Sequence, residues 1–129
     1  MKGKKMPEDI IVSIVDDDAS VRRSTRRLLR SSGFRAETFA SAEEFLDSKS
    51  AGETACLILD LRMPGMNGLE LQRRLSQNGN PVPIIFLSAQ ASEEDERSAL
   101  RSGAVQFLRK PVSKEALLGA IRDALNRSI

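Results

Sequence analysis

Asp16, Asp17 and Asp18 follow directly on the apolar run Ile10 to Val15; Asp60 follows Ala55 to Leu59, Ser88 follows Val82 to Leu87, and Lys110 lies just past Val105 to Leu108. Three adjacent carboxylates repel one another, and on their own they read equally as a solvated turn with a helix cap. A fourth at the end of another apolar run turns the balance toward a hard-cation site. Oxygen donors at an open rim favour Mg²⁺, which prefers octahedral geometry and keeps several waters. Taken singly, Lys110 reads as surface charge and Ser88 as a turn serine. Set at strand ends beside Asp60, the ammonium can neutralise an incoming phosphoryl group and the hydroxyl can donate to one of its oxygens. A carboxylate nucleophile, a divalent ion and a lysine together describe phosphoryl transfer to aspartate, which needs in-line placement and neutralisation of charge on three equatorial oxygens.

Such a site exists only if distant stretches converge. The runs Ile10 to Val15, Ala55 to Leu59, Val82 to Leu87 and Val105 to Leu108 are short, apolar and partly β-branched, as parallel strands buried on both faces should be. Arg35 to Phe39 is half polar and suits a sheet edge. In a parallel α/β sheet the carboxyl ends of the strands share one crevice, which brings the polar residues together. Helical patterns lie between the strands. Ser41 with Glu44 and Asn67 with Glu70 have capping-box spacing, Ser92 and Ser113 can each accept a backbone N–H, and Gly33 and Gly103 stand where helices should stop. Val21, Leu28 and Leu29, then Leu71 and Leu75, then Leu117, Leu118, Ile121 and Leu125 recur at helical spacing. The expectation is an α/β fold, β-α repeated five times. Ser92 to Ser102 has only Ala99 and Leu100 as clearly apolar members, so it should be the most loosely held helix.

With 129 residues the chain fits one domain, residues 1–129, able to bury about 65 to 70% of its unfolded surface without disulfides. Residues 1–8 read as a flexible basic N-terminal tail. The single cysteine, Cys56, lies in an apolar run and reads as a small buried hydrophobe compatible with the reducing cytoplasm. No apolar stretch is long enough for a membrane span or a secretion signal. A net charge of +2 and only five aromatic residues, all Phe, argue against direct nucleic-acid binding. Histidine is absent, which excludes Ser-His-Asp and Cys-His nucleophile systems and argues against zinc.

The stretches Ile14-Val15-Asp16-Asp17-Asp18, Leu57-Ile58-Leu59-Asp60-Leu61-Arg62-Met63-Pro64-Gly65-Met66-Asn67-Gly68, Phe86-Leu87-Ser88-Ala89 and Gly103-Ala104-Val105-Gln106-Phe107-Leu108-Arg109-Lys110-Pro111 resemble the receiver domain of two-component response regulators. The likeness runs from about Ile10 to Asn126 with all spacings intact. It implies a flavodoxin-like, CheY-like fold: a five-stranded parallel sheet of order 2-1-3-4-5 flanked by five helices. It implies Asp60 as phosphoacceptor, with Asp17, Asp60 and the backbone carbonyl of Arg62 on Mg²⁺, Asp16 acting directly or through water, and Mn²⁺ able to substitute. Ser88 and Lys110 would hold the phosphoryl oxygens, and the Lys110-Pro111 bond is commonly cis in the family. Arg62 and Gln90 fall at rim positions that tune the lifetime of the acyl phosphate. Phe107 falls at the aromatic switch position, where the ring turns inward as Ser88 moves; relatives often carry Tyr there.

The resemblance further implies a sensor histidine kinase as phosphodonor, and Arg22, Arg23, Arg26, Arg27 and Arg30 form either a solvated helix face or part of its docking surface. The stretch Val21 to Phe45 looks most like receivers of the FixJ and NarL type joined to LuxR-like helix-turn-helix domains, which implies a transcription-control output. No output domain is expected within these 129 residues, and self-dimerisation through the face of helix 4, strand 5 and helix 5 is a further expectation. Two other readings stay open. A phosphatase of the haloacid dehalogenase type also uses an aspartate nucleophile but needs an acid two residues later, where this chain has Arg62. A receiver-like interaction module that takes no phosphate is the other. A nucleotide-binding domain is weaker, since neither G-x-G-x-x-G nor a phosphate-binding loop is present. The chain is therefore expected to be a stoichiometric phosphoacceptor with slow autodephosphorylation rather than an enzyme.

Overall fold

The computed structural model describes residues 9–127, so the expectation of a basic tail at residues 1–8 lies outside the described residues. The strands are β1 (Ile11–Val15), β2 (Arg35–Phe39), β3 (Cys56–Leu59), β4 (Ile84–Ser88) and β5 (Gln106–Arg109). They alternate with helices α1 (Ala19–Ser31), α2 (Ala42–Leu46), α3 (Gly68–Gln77), α4 (Glu93–Arg101) and α5 (Lys114–Arg127), and a single 3₁₀ turn at Lys49–Gly52 follows α2. All pairings are parallel in the order β2-β1-β3-β4-β5, the parallel pairing as the apolar runs predict and the order as the resemblance implies. The strand order reverses between β1 and β3, so a crevice opens beyond their carboxyl ends, where Asp16, Asp17 and Asp60 stand.

Period-two alternation divides each central strand between two cores. Leu57 and Leu59 of β3 join Phe45, Leu71, Leu75, Phe86 and Ala99 beneath α2, α3 and α4. Cys56 and Ile58 join Leu29, Ile85, Leu117, Ala120 and Ile121 beneath α1 and α5. Cys56 is fully buried, and that burial pushes its thiol up to about 12, as befits an unreactive core position.

The helix starts follow the capping pattern. Asp18 caps α1 by accepting from Ser20 and Val21; Asn67 with Glu70 and Ser92 with Asp95 make reciprocal capping boxes; Ser113 accepts from the Ala116 N–H. Ser41 accepts the Glu44 N–H at 3.1 Å. Gly33 and Gly103 take φ of +92° and +104° past the ends of α1 and α4, a conformation that side chains with a Cβ rarely adopt.

Three details differ from the sequence reading. β5 stands at the edge that the order 2-1-3-4-5 gives it, and its first three residues are only half-buried with the last, Arg109, exposed, whereas its apolar run reads by itself as a strand covered on both faces. The apolar run before it looked equivalent to the central ones because composition does not encode order in a sheet. β4 begins at Ile84, since Val82 and Pro83 still form the approach, although the Pro83 carbonyl already accepts from Leu57. Of the two apolar residues of α4, Ala99 is fully buried but Leu100 is 42% exposed, so the helix packs by even less than its sequence offered.

Candidate phosphoacceptor and metal site

Asp60 sits one residue beyond β3, with its amide donating to the Val15 carbonyl at 2.9 Å, so the end of β1 and the start of the acidic crevice are stitched together. Potential ligand oxygens of Asp16, Asp17 and Asp60 all lie within 4.8 Å of one another. In an octahedral Mg²⁺ shell with bonds of about 2.1 Å, ligand oxygens stand about 3 to 4.2 Å apart, so only a small contraction separates this donor set from that geometry. The donors are hard carboxylate oxygens, and the residues present fit a magnesium-type ion.

The three acids have unequal surroundings. Asp16 is buried; its Oδ2 accepts from Lys110 Nζ at 2.9 Å and its Oδ1 from the Asp18 N–H at 2.9 Å. Both carboxylate oxygens of Asp16 are thus engaged. Its carbonyl also accepts from the Arg22 guanidinium at 2.8 Å, which ties the crevice to α1. Asp17 is exposed at the rim. Asp60 is 7% exposed, and its pKa is pushed up to about 6, first by burial and then by the negative charge of Asp16, against the opposing pull of Lys110 and the Leu61 amide. The crevice thus holds a carboxylate whose charged form is under-compensated, the electrostatic condition that a divalent cation relieves.

Lys110 reaches the crevice from beyond β5, preceded by a backbone bond from its own N–H to the Ser88 carbonyl and followed by a cis peptide to Pro111. Ser88 ends β4 and is buried; its Oγ donates to the Gln90 carbonyl at 3.2 Å and accepts the Gln90 N–H at 3.3 Å. The Gln90 side chain is exposed at the rim. Phe107 is half-buried, its ring stacked on Phe86 with centroids 5.6 Å apart and planes 23° apart. The Arg62 side chain leaves the crevice and pairs with Asp95 in the first turn of α4 at 2.6 Å.

Several residues shape the site without being legible beforehand. Gly68 donates to the Leu61 carbonyl at 2.9 Å, and a Cβ there would collide with the Asp60 carbonyl and stand 2.9 Å from the Phe86 ring. A glycine at the first position of a helix, where it lowers helix propensity, was the available signal. Arg109 covers Phe107 at 5.6 Å, donates to the Ala91 carbonyl at 2.8 Å and pairs with Glu96 at 2.9 Å, so one side chain joins β5, the loop after β4 and α4. Glu43 on α2 accepts the Met66 N–H at 3.0 Å.

The family model of the response regulator receiver domain matches residues 12–122. The chain is 43% identical over 118 residues to the response regulator protein TmoT of Ectopseudomonas mendocina, covering 92% of this chain and 54% of that protein. Among solved structures, the response regulator StyR superposes with a TM-score of 0.86 at 44% identity, over 92% of this chain and 60% of that one. The crystal structure of FixJ-N superposes with a TM-score of 0.84 at 34% identity, over 94% of this chain and 97% of that one. The chain spans about half the length of the curated relatives it matches. A family model matched over residues 12–122, together with relatives more than 40% identical over about nine-tenths of the chain, places this chain in the response regulator receiver domain family.

Proposed function

We propose that this domain accepts a phosphoryl group on Asp60 from the phosphohistidine of a sensor kinase. A carboxylate oxygen of Asp60 attacks phosphorus, the P–N bond to the donor imidazole breaks, and an acyl phosphate forms. The observation that carries this reading is the convergence of Asp16, Asp17 and Asp60, with Lys110 paired to Asp16 beside them. A divalent cation held by Asp17, Asp60 and the Arg62 carbonyl, with Asp16 acting directly or through water, would neutralise charge on the transferred group. Lys110 then moves its ammonium from Asp16 toward a phosphoryl oxygen, and the Ser88 hydroxyl turns from the Gln90 carbonyl to another.

The acceptor is stoichiometric. An aspartate-based phosphatase needs an acid two residues after its nucleophile, and here that residue is Arg62, engaged with Asp95. Turning of Ser88 frees the loop after β4, and Phe107, Arg109 and the thinly packed α4 carry the change to the face of α4, β5 and α5. That face is where self-association and output contacts would form, and α4 carries an exposed Leu100. Because relatives such as FixJ of Azorhizobium caulinodans are transcriptional regulatory proteins of which the match covers 58%, the output we assign is transcriptional control. The arginine face of α1, lined by Arg23, Arg26, Arg27 and Arg30, is assigned to kinase docking. The setting is the cytoplasm, where a buried unpaired thiol is stable.

Incubation with Mg²⁺ and acetyl phosphate should give one hydroxylamine-sensitive phosphate at Asp60, absent in Asp60→Asn and prevented by a chelator. Labelling at another residue, or none with wild-type protein, would overturn the assignment. Charge reversal at Arg23 or Arg26 should slow transfer from the kinase and leave acetyl phosphate labelling intact.

A further inference from the structure

The loop from β3 to α3 is fixed unevenly. Its inner part is held by burial of Leu61 and Met63 and by the Gly68 N–H on the Leu61 carbonyl. In its outer part Pro64 and Gly65 are exposed and Met66 is half-buried against the core, and the Glu43 side chain reaches it from α2. Oε2 of Glu43 accepts the Met66 N–H at 3.0 Å. At Gly65, with φ of +75°, an added Cβ would stand 2.8 Å from the same oxygen, so the loop leaves room for the carboxylate at that point.

Glu43 is well placed to hold a position. Ser41 caps α2, Ala42 and Phe45 on either side of Glu43 and Glu44 are fully buried, and the Phe45 ring packs edge-on against Phe39 at 5.3 Å. The helix is thereby seated on the sheet, and the carboxylate reaches from a fixed base to the exposed side of the loop, at Gly65 and Met66. The bond to Met66 also holds the Glu43 carboxyl below the usual carboxylate range, the sign of an acceptor whose bond favours its charged form.

We infer that Glu43 is a positioning residue for the metal site: by holding the Met66 amide it sets the course of the loop that carries the Arg62 carbonyl, and so sets the affinity for the divalent cation. The inference rests on the proposed reading of Asp16, Asp17 and Asp60 as a magnesium site. It assigns no contact between Glu43 and the ion.

The test is an NMR titration of the full chain with MgCl₂, reading the Mg²⁺ dissociation constant and Met66 amide exchange separately, in wild type, Glu43→Ala, Glu43→Gln and Glu44→Ala. Glu43→Ala should quicken Met66 exchange and weaken Mg²⁺ binding about tenfold, the low end for groups that orient a metal's ligands. Glu43→Gln keeps an acceptor oxygen and should stay within about twofold of wild type. Glu44→Ala removes the neighbouring charge and should leave both readouts unchanged. Wild-type Mg²⁺ affinity in Glu43→Ala would overturn the inference, as would equal losses in Glu43→Gln and Glu43→Ala, which point to long-range charge. A wild-type protein that binds no Mg²⁺ would instead overturn the reading of the site, and this inference with it.

Discussion

Replacing Asp60 with Asn should make the metal-free protein more stable. Burial and the charge of Asp16 raise the Asp60 pKa from 3.8 to about 6. A tenfold change in proton affinity is worth about 1.36 kcal/mol, so the ionised side chain costs the folded state about 3 kcal/mol at pH 7.5. Asp60 is 7% exposed, so solvent screening removes little of this. The sign follows from proton binding. Below pH 4 the group is protonated in both states and imposes no penalty. Between about pH 4 and 6 the folded state alone retains the proton, so stability falls as pH rises, and above the folded pKa the loss is complete. Glu43, Glu94 and Asp95 are lowered and act in the opposite sense, so the quantity to read is wild type minus variant. In urea melts with a chelator at pH 7.5, Asp60→Asn should gain about 3 kcal/mol, or about 10 °C in Tm for a domain of this size. That gap should close toward pH 4. Adding Mg²⁺ at ten times its dissociation constant should return about 1.4 kcal/mol to the wild type and little to the variant. A variant no more stable than wild type at pH 7.5, or a difference independent of pH, would refute the reasoning.

Lys110→Met removes the partner of the buried Asp16 carboxylate and should cost about 2 kcal/mol, less than for a fully buried pair because Lys110 is itself 21% exposed along its side chain; carboxyl NMR should also find the Asp60 midpoint raised further, since one of the two groups that lower it is gone. Gly68→Ala drives a Cβ into backbone and an aromatic ring and should cost about 1 to 3 kcal/mol in denaturant melts. Gly119→Ala in α5, where the same Cβ meets nothing, should instead stabilise by up to about 1 kcal/mol. Arg62→Ala breaks an exposed pair with Asp95 and should change stability by less than about 1 kcal/mol, yet quicken amide exchange in the first turn of α4. Beryllofluoride should alter exchange over Ala89 to Gly103, and unchanged protection there would remove α4 from the switch.

The sequence by itself determined the elements and the chemistry at their ends. Short continuous apolar runs, capping pairs such as Asn67 with Glu70, and the stops at Gly33 and Gly103 are local signals, because dihedral freedom and backbone hydrogen bonding are settled within a few residues. Acids after two strands and a lysine after a third were enough to propose a cation and a phosphoryl group, since parallel strands bring their carboxyl ends to one edge. Only the tertiary structure decided which contacts those groups make. Lys110 rests on Asp16, and Arg62 reaches Asp95 rather than the crevice. Glu43 holds a loop 23 residues away, and Gly68 gives way to the Asp60 carbonyl. Leu100, one of the two apolar residues of α4, is 42% exposed, and the first three residues of β5 are only half-buried. These outcomes depend on which elements pack side by side, a property of distances between remote residues that no local pattern of amino acids encodes.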